Sequence, residues 1–534
     1  RKKYIAILKD MNAITKKTNS FNCLIFRLYS TLHPDIVESK QQTKLGYIKH
    51  EDGTESKDML EGQLHVGIVN LPEQLNESLE VYYKNHPSKR IREDGLRLSR
   101  YLLNRGRPTN STWSKYKSNL QGSDKKHSDD EFSLKDAANE GLIHPDIASD
   151  IFQEGENTSN NEEKHRIIKK PHKAQYSVIR YGGRETSAYI ASQLPSVYGA
   201  TYRALHEIKK RVPEYKPKTL LDFGSGSGMT VWTANQLWGN EIKEYQCVDA
   251  SEKMIEAAEF LLRGSDDLNH PLKIPNVFFK RFLPLSNKVL YDVVVSSYSL
   301  TEMPFRKQRL QAIKSLWKKT NDFLVLVEPG NNDGFEAVLL ARQFLTEGKS
   351  SLNDMDTSST KEFAYNGIFN EFDIHLNDDF EDGHIFAPCP HEMVCARAYV
   401  ETRDHPCNFT QKVELSFSQK YTELKQYGYY NNSFSYVILR KGKEAKNSNV
   451  EDRIWTRILK PIKPKDKHII CELCSSNGNI EKHILTKKKD PFIYKAARHR
   501  LKQGDMMPLD EAKRPMNIRK PIKPCITPVI TDNL

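Results

Sequence analysis

The stretch Thr219-Leu220-Leu221-Asp222-Phe223-Gly224-Ser225-Gly226-Ser227-Gly228 limits what this chain can fold into more than any other. A short apolar run ends in an acid, a glycine-rich turn follows, and Met229 to Trp238 reads as a helix. Strand, tight loop and helix N-terminus in that order bring backbone N–H groups up to a nucleotide-like ligand. No Gly-Lys-Ser/Thr follows the loop, so it is not the phosphate-cradling P-loop.

The flanking sequence supplies the rest of an α/β sheet. Thr186 to Val212 has a helical pattern, with Tyr189, Leu194, Tyr198, Tyr202 and Leu205 on it. Glu244 to Asp249 reads as a second strand, ending in an acid about twenty residues past the loop, where carboxylates bond ribose hydroxyls in dinucleotide folds. Asp249 also suits the N-cap of a helix beginning near Glu252. Val277 to Phe282, Tyr291 to Tyr298 and Asp322 to Glu328 read as buried strands, with a helix over Arg306 to Lys319. Strands alternating with helices imply a parallel, doubly wound sheet with its ligand beyond the strand C-termini, near Asp222, Gly224, Asp249 and Ser297. The glycine loop resembles motif I of class I S-adenosylmethionine (SAM) methyltransferases. That resemblance implies the class I SAM-methyltransferase-like sheet, with SAM bound by Asp222, Gly224, Gly226 and Asp249.

The usual reactive residues of that chemistry are missing. Amino-group methyltransferases carry Asn/Asp-Pro-Pro-Tyr/Phe after the fourth strand; here the segment is Ser296-Ser297-Tyr298-Ser299-Leu300-Thr301-Glu302-Met303. It holds no cysteine for covalent attack. Cys247 lies inside a strand and reads as a small buried apolar residue. Glu302 is a lone carboxylate that offers only a weak candidate base. No catalytic residue is assigned.

Cysteine usage points elsewhere. Of eight cysteines in 534 residues, Cys389, Cys395, Cys407, Cys471 and Cys474 fall in one short section, which suggests metal ligation rather than a disulfide scaffold. Four thiolates hold either tetrahedral zinc or an iron–sulfur cluster. With neither a ferredoxin run nor a paired CxxC ribbon, spacing places zinc slightly ahead; His391 and His405 are spare candidates for a mixed site.

A net charge of +12 favours a polyanionic partner. Residues 1–29 are basic and hydroxyl-rich with one acid, Asp10, the composition of a mitochondrial transit peptide. Residues 30–121 form a basic helical N-terminal region. Within it Lys89, Arg90, Arg92, Arg97, Arg100, Arg105, Arg107, Lys115 and Lys117 interleave with Tyr101, Trp113 and Tyr116, which suits RNA backbone and unstacked bases as well as it suits a solvated helix face. Residues 122–170 read as a polar linker. No apolar run reaches the roughly eighteen residues of a transmembrane helix.

Several segments together resemble the methyltransferase-like family of mitochondrial ribosome small-subunit assembly proteins, over about Tyr176 to Pro508. They are the helix Ser196 to Arg211 with the glycine loop, Ser297 to Met303, Val327-Glu328-Pro329-Gly330 with Gly334-Phe335, Ala387-Pro388-Cys389-Pro390-His391, Cys407-Asn408-Phe409, and Phe434-Ser435-Tyr436-Val437. The resemblance implies a 4Fe–4S cluster on Cys389, Cys395, Cys407 and the cysteine before the turn Ser475 to Gly478. That cysteine is Cys474, with Cys471 a nearby competitor. It further implies the mitochondrial matrix, binding to small-subunit rRNA, and ribosomal proteins and other assembly or initiation factors as partners. A working SAM-dependent rRNA methyltransferase and a constituent of the finished subunit are the alternatives. Residues 171–385 are thus expected to be a Rossmann-type domain, 386–486 a cysteine-cluster and smaller β-rich region, and 487–534 a basic arm held extended by prolines in its later part.

Overall fold

A computed structural model describes residues 62–86, 88–105, 178–284, 286, 288–349, 383–398, 405–442, 455–489 and 491–507. The expected transit peptide, the linker, the basic stretch beyond Arg105 and the arm beyond Met507 lie outside them.

The central sheet contains β1 (Thr219–Phe223), β2 (Glu244–Val248), β3 (Val277–Lys280), β4 (Tyr291–Ser297), β5 (Thr320–Pro329), β6 (Gly383–Ala387), β7 (Phe409–Glu414) and β8 (Tyr429–Lys441). Its order is β3-β2-β1-β4-β5-β8-β6, with β7 also on β8. The first five strands are parallel, and β8 runs antiparallel to β5, β6 and β7. The doubly wound sheet expected from the sequence is present. The boundary at residue 385 is different: β7 and β8 complete this sheet instead of belonging to a separate β-rich region.

Strands buried on both faces explain the continuous apolar runs in the sequence. Alternate residues divide between two cores. Leu220, Val293, Val295, Phe323, Val325 and Ile438 face one side, packed under α3 (Gly183–Arg211), α4 (Met229–Trp238) and α5 (Glu252–Arg263). Leu221, Val294, Leu324, Leu326, Val437 and Leu439 face the other, under α6 (Arg306–Lys319) and α7 (Asn332–Lys349). Helix α3 sits so close to β7 that a Cβ on Gly199 would meet Val413 Cγ1 at 2.0 Å.

The N-terminal helices α1 (Glu73–Lys84) and α2 (Ser88–Asn104) lie on this core, α1 against α5 and α2 against α3. Arg184 of α3 fixes α2 through both oxygens of Asp94, at 2.6 and 2.8 Å. A second sheet has the order β10 (Lys463–Pro464), β11 (His468–Cys474), β9 (Thr456–Ile458), β13 (Met506–Met507), with β12 (Ile480–Thr486) also on β11. Helix α8 (Pro491–His499) packs on β11 and β12. Asp505 ties the entering chain to this sheet, accepting from the N–H groups of Leu64 at 2.8 Å and His65 at 2.7 Å.

Candidate functional site

The glycine loop sits where β1 hands over to α4. Gly224, Gly226 and Gly228 all have positive φ (67°, 49° and 80°), which L side chains adopt only at a cost. Gly224 has a second constraint: a Cβ there would meet Ser299 Oγ at 2.2 Å. Ser299 reaches the loop because its hydroxyl donates to the Phe223 and Gly224 carbonyls (3.1 and 3.2 Å).

Asp222 is 1% exposed, and neither carboxylate oxygen has a hydrogen-bond partner among the described residues. Burial pushes its carboxyl up to about 7; the nearby Thr230 hydroxyl opposes the rise and the Asp249 charge adds to it. Ser225 Oγ and Ser227 Oγ are likewise buried without a partner among the described residues. Buried polar atoms are nearly always paired, so four orphans around one loop mark a cradle for a polar ligand. Asp249 is placed differently from either sequence expectation alone. Its Oδ2 accepts from Gly226 N–H and its Oδ1 from Ser251 N–H, both at 2.8 Å. The N-cap of α5 is Ser251, whose side chain accepts from Met254 N–H. Asp249 therefore braces the loop, and each of its oxygens keeps spare acceptor capacity.

The segment after β4 is committed to structure. Buried Glu328, at the end of β5, accepts from the N–H groups of Ser299 (3.1 Å), Leu300 (2.8 Å) and Thr301 (3.3 Å) and from the Thr301 hydroxyl (2.8 Å). Burial pushes its carboxyl up to about 7 against these bonds. Glu302 is paired with Arg105 at 2.9 and 3.1 Å, and Arg105 also donates to the Thr301 carbonyl at 3.0 Å. Cys247 is fully buried in β2, as its position suggested.

The thiols converge from two distant segments. Cys389, Cys395 and Cys407 come from the chain between β6 and β7 and Cys474 from the end of β11; Cys395 feels the charge of Cys389, Cys407 that of Cys395 and Cys389, and Cys474 that of all three. Burial, reinforced by neighbouring thiols, holds Cys395, Cys407 and Cys474 above the usual thiol range. Strand alternation separates Cys471 from them: it shares the buried face of β11 with Ile469 and Leu473, while Cys474 lies on the opposite face. Burial alone pushes Cys471 up to about 12. His391 Nε2 lies 3.4 Å from Cys474 Sγ, whereas His405 is exposed. Among the described residues no three of His, Cys, Asp and Glu gather tightly enough to hold one metal ion.

Arg342 is the member that sequence reasoning missed. It stands 3% exposed on α7, donates to the carbonyls of His391 (3.1 Å) and Met393, and faces Cys389, Cys395 and Cys474. The available signal was a lone cation within the apolar run Val338 to Leu345.

Comparison with known proteins places this architecture. The sequence profile of a family described as mitochondrial small ribosomal subunit Rsm22 matches residues 183–353 and 372–508. The human "Ribosome assembly protein METTL17, mitochondrial" is 34% identical over 366 residues, 67% of this chain and 71% of that one. The Saccharomyces cerevisiae "Ribosome assembly protein RSM22, mitochondrial" is 22% identical over 424 residues, 60% and 67% of the two chains. A Schizosaccharomyces pombe "Rsm22-cox11 tandem protein 2, mitochondrial" is 28% identical over 357 residues, and only 43% of that relative is spanned. Among solved structures, a putative RNA methyltransferase from Pyrococcus horikoshii aligns at a TM-score of 0.24 with 11% identity, over 49% of this chain and 86% of that one. A SAM-dependent methyltransferase from Aquifex aeolicus aligns at 0.22 with 14% identity, over 29% and 75%. With the family profile matching more than half its length, this chain belongs to the mitochondrial small ribosomal subunit Rsm22 family.

Proposed function

We propose that this protein works in the mitochondrial matrix as an assembly factor of the small ribosomal subunit, binding small-subunit rRNA through its basic surfaces and without essential catalysis. Its human and budding-yeast relatives are named mitochondrial ribosome assembly proteins. The observation that carries the non-catalytic reading is the consumed segment after β4: Ser299, Thr301 and Glu302 are all bonded into the fold. A SAM-dependent rRNA methyltransferase is the second reading, favoured by the orphaned oxygens of Asp222, Ser225 and Ser227. These fit a ligand with ammonium and hydroxyl groups. SAM, held by Asp222, Gly224, Gly226 and Asp249, would supply an activated methyl group. A third reading, a constituent of the finished subunit, follows the family's description.

The family resemblance supports a 4Fe–4S cluster at the cysteine centre over the zinc that spacing alone favours. A single tetrahedral zinc draws its thiolates to about 3.8 Å from one another, given Zn–S bonds of about 2.3 Å. Among the described residues no group that tight is formed, and Arg342 faces Cys389, Cys395 and Cys474. Cys389, Cys395, Cys407 and Cys474 would hold the cluster, which when bound contributes a cross-link between the β6–β7 segment and the second sheet.

Anaerobic purification tests the centre. Brown protein with about four irons per chain is expected. Cys474→Ser should abolish loading and Cys471→Ser should leave it intact; stoichiometric zinc without colour overturns the assignment. For the function, ribosome assembly that survives Asp222→Ala but fails with Cys389→Ser supports the assembly reading. Transfer of labelled methyl groups to small-subunit rRNA, abolished by Asp222→Ala, refutes it.

A further inference from the structure

The turn between β7 and β8 holds out aromatic rings. Tyr421 is 64% exposed and Tyr427 59% exposed, although a tyrosine ring ordinarily buries its apolar body. Cations stand among them. The Arg92 guanidinium of α2 lies 5.0 Å from the Tyr421 ring centroid. Lys420 and Lys425 are exposed on the turn itself. At the start of β8 the pattern repeats, with Lys412 Nζ 4.6 Å from the Tyr429 centroid.

The base of this turn is fixed. Phe417 stacks on Tyr83 of α1 with centroids 4.0 Å apart and meets Tyr421 edge-on at 6.3 Å. Ser418 N–H donates to the Ala191 carbonyl of α3 at 3.0 Å. A short 3₁₀ turn over Glu423–Tyr427 closes on Gly428 in the left-handed region. The rings are therefore presented by the core, and little ordering remains to be done when a ligand arrives.

We propose that this face docks single-stranded RNA, its bases stacking on Tyr421 and Tyr427 and its phosphates meeting Arg92, Lys420 and Lys425. The proposal rests on the rRNA-binding reading above and names the surface that carries it. Ring faces are sequence-tolerant platforms for unpaired bases, and interleaved cations track the backbone beside them. Duplex RNA keeps its bases stacked inward and has no use for exposed rings. A protein partner is disfavoured by the lysines, which are depleted in protein interfaces.

Fluorescence anisotropy of the full chain with a short labelled oligouridylate, over a range of salt, tests this. Tyr421→Ala and Tyr427→Ala should each weaken binding about five-fold or more, the lower end of stacking losses, with circular dichroism unchanged; melting should be unchanged for Tyr427→Ala and slightly lowered for Tyr421→Ala, which loses its contacts with Phe417 and Arg92. Lys420→Gln and Lys425→Gln should each reduce the slope of log affinity against log salt by about 0.7. If the tyrosine double variant binds the oligonucleotide like the parent, the platform is wrong while rRNA binding through another surface stands. The platform also fails if a duplex of equal length binds as tightly and with the same sensitivity to the two tyrosines. If the parent binds neither oligonucleotide nor small-subunit rRNA, this proposal and the rRNA-binding reading fall together.

Discussion

Glu207 on α3 is the joint between the two sheets, and Glu207→Gln should cost about 3–5 kcal/mol. Its carboxylate is fully buried and takes Arg457 of β9 at 2.7 Å, the Tyr436 hydroxyl of β8 at 2.7 Å, and Arg203 and Arg211 at 3.3 Å each. Burial alone would raise this carboxyl; the three guanidiniums, Arg457 foremost, overcome that and hold it at about 2. Against the ordinary glutamate value of 4.5, a carboxyl at about 2 is worth about 3 kcal/mol of folded-state stability. The amide keeps shape and acceptor but leaves three buried cations without their anion. The loss should spread outward, since Arg457 also donates to the Pro388 carbonyl at 2.9 Å, next to Cys389. Urea denaturation followed by tryptophan emission measures it, with Trp455 buried beside the joint. The sign with pH is fixed: a depressed carboxyl stabilises above the unfolded value and loses that contribution as pH falls from 4.5 to about 2. The gap between parent and variant should therefore close in that acid window. A loss below about 1 kcal/mol at neutral pH, or a gap that does not narrow in acid, refutes the reasoning.

Two further outcomes concern the glycine loop. Gly224→Ala should destabilise by at least about 1–2 kcal/mol from its positive φ alone, and more from the collision with Ser299 Oγ; adding Ser299→Gly should recover the collision part and leave the φ part, in a denaturation cycle. Asp222→Asn should stabilise the ligand-free protein: the parent carboxyl, raised from 3.8 to about 7 by burial, loses stability as pH rises through that range, reaching about 4 kcal/mol above it. Melting curves should thus coincide near pH 3 and diverge by pH 8; equal melting at pH 8 refutes the buried, unpaired state of Asp222.

The parallel half of the sheet was legible because its central strands are buried on both faces and read as short apolar runs separated by helical patterns. Helix Arg306–Lys319 and helix Met229–Trp238 fall on the residues their patterns marked. The antiparallel half was harder. β7 alternates like a half-exposed strand, and although Tyr436 to Leu439 of β8 is a continuous apolar run, nothing local says that β8 slots between β5 and β6. The same limit hid the charged joints. Glu207, Arg457, Arg342 and Glu328 each look like an ordinary surface charge in sequence, and only long-range packing shows what they meet. Glu328 gave a hint, as an acid closing the apolar run Phe323 to Val327, and Arg342 gave another, as a cation within Val338 to Leu345. Cys471 and Cys474 were ambiguous as a pair until the strand was known to run through Cys474, which puts the two thiols on opposite faces.

Strand β8 connects the turn beneath the glycine loop with the segment that carries Cys407. On β5, Glu328 holds the Ser299–Thr301 turn beneath Gly224. Directly across the ladder, Glu328 is in register with Ser435 of β8, and the Ser435 hydroxyl donates to the Cys407 carbonyl at 2.8 Å. Two positions along, Gly330 N–H donates to the Ser433 carbonyl at 2.9 Å, and the Asn408 side-chain amide donates to the Gly330 carbonyl at 2.7 Å. A single rung thus separates the floor of the ligand cradle from the chain that carries Cys407. The edge of β8 away from β5 pairs with β6 and β7, the two strands that bracket the thiol-bearing segment. The β5–β8 ladder itself rests on seven registered pairs, from Phe323 with Arg440 to Pro329 with Phe434, and the bonds of Ser435 and Asn408 fasten the Cys407 segment to its end.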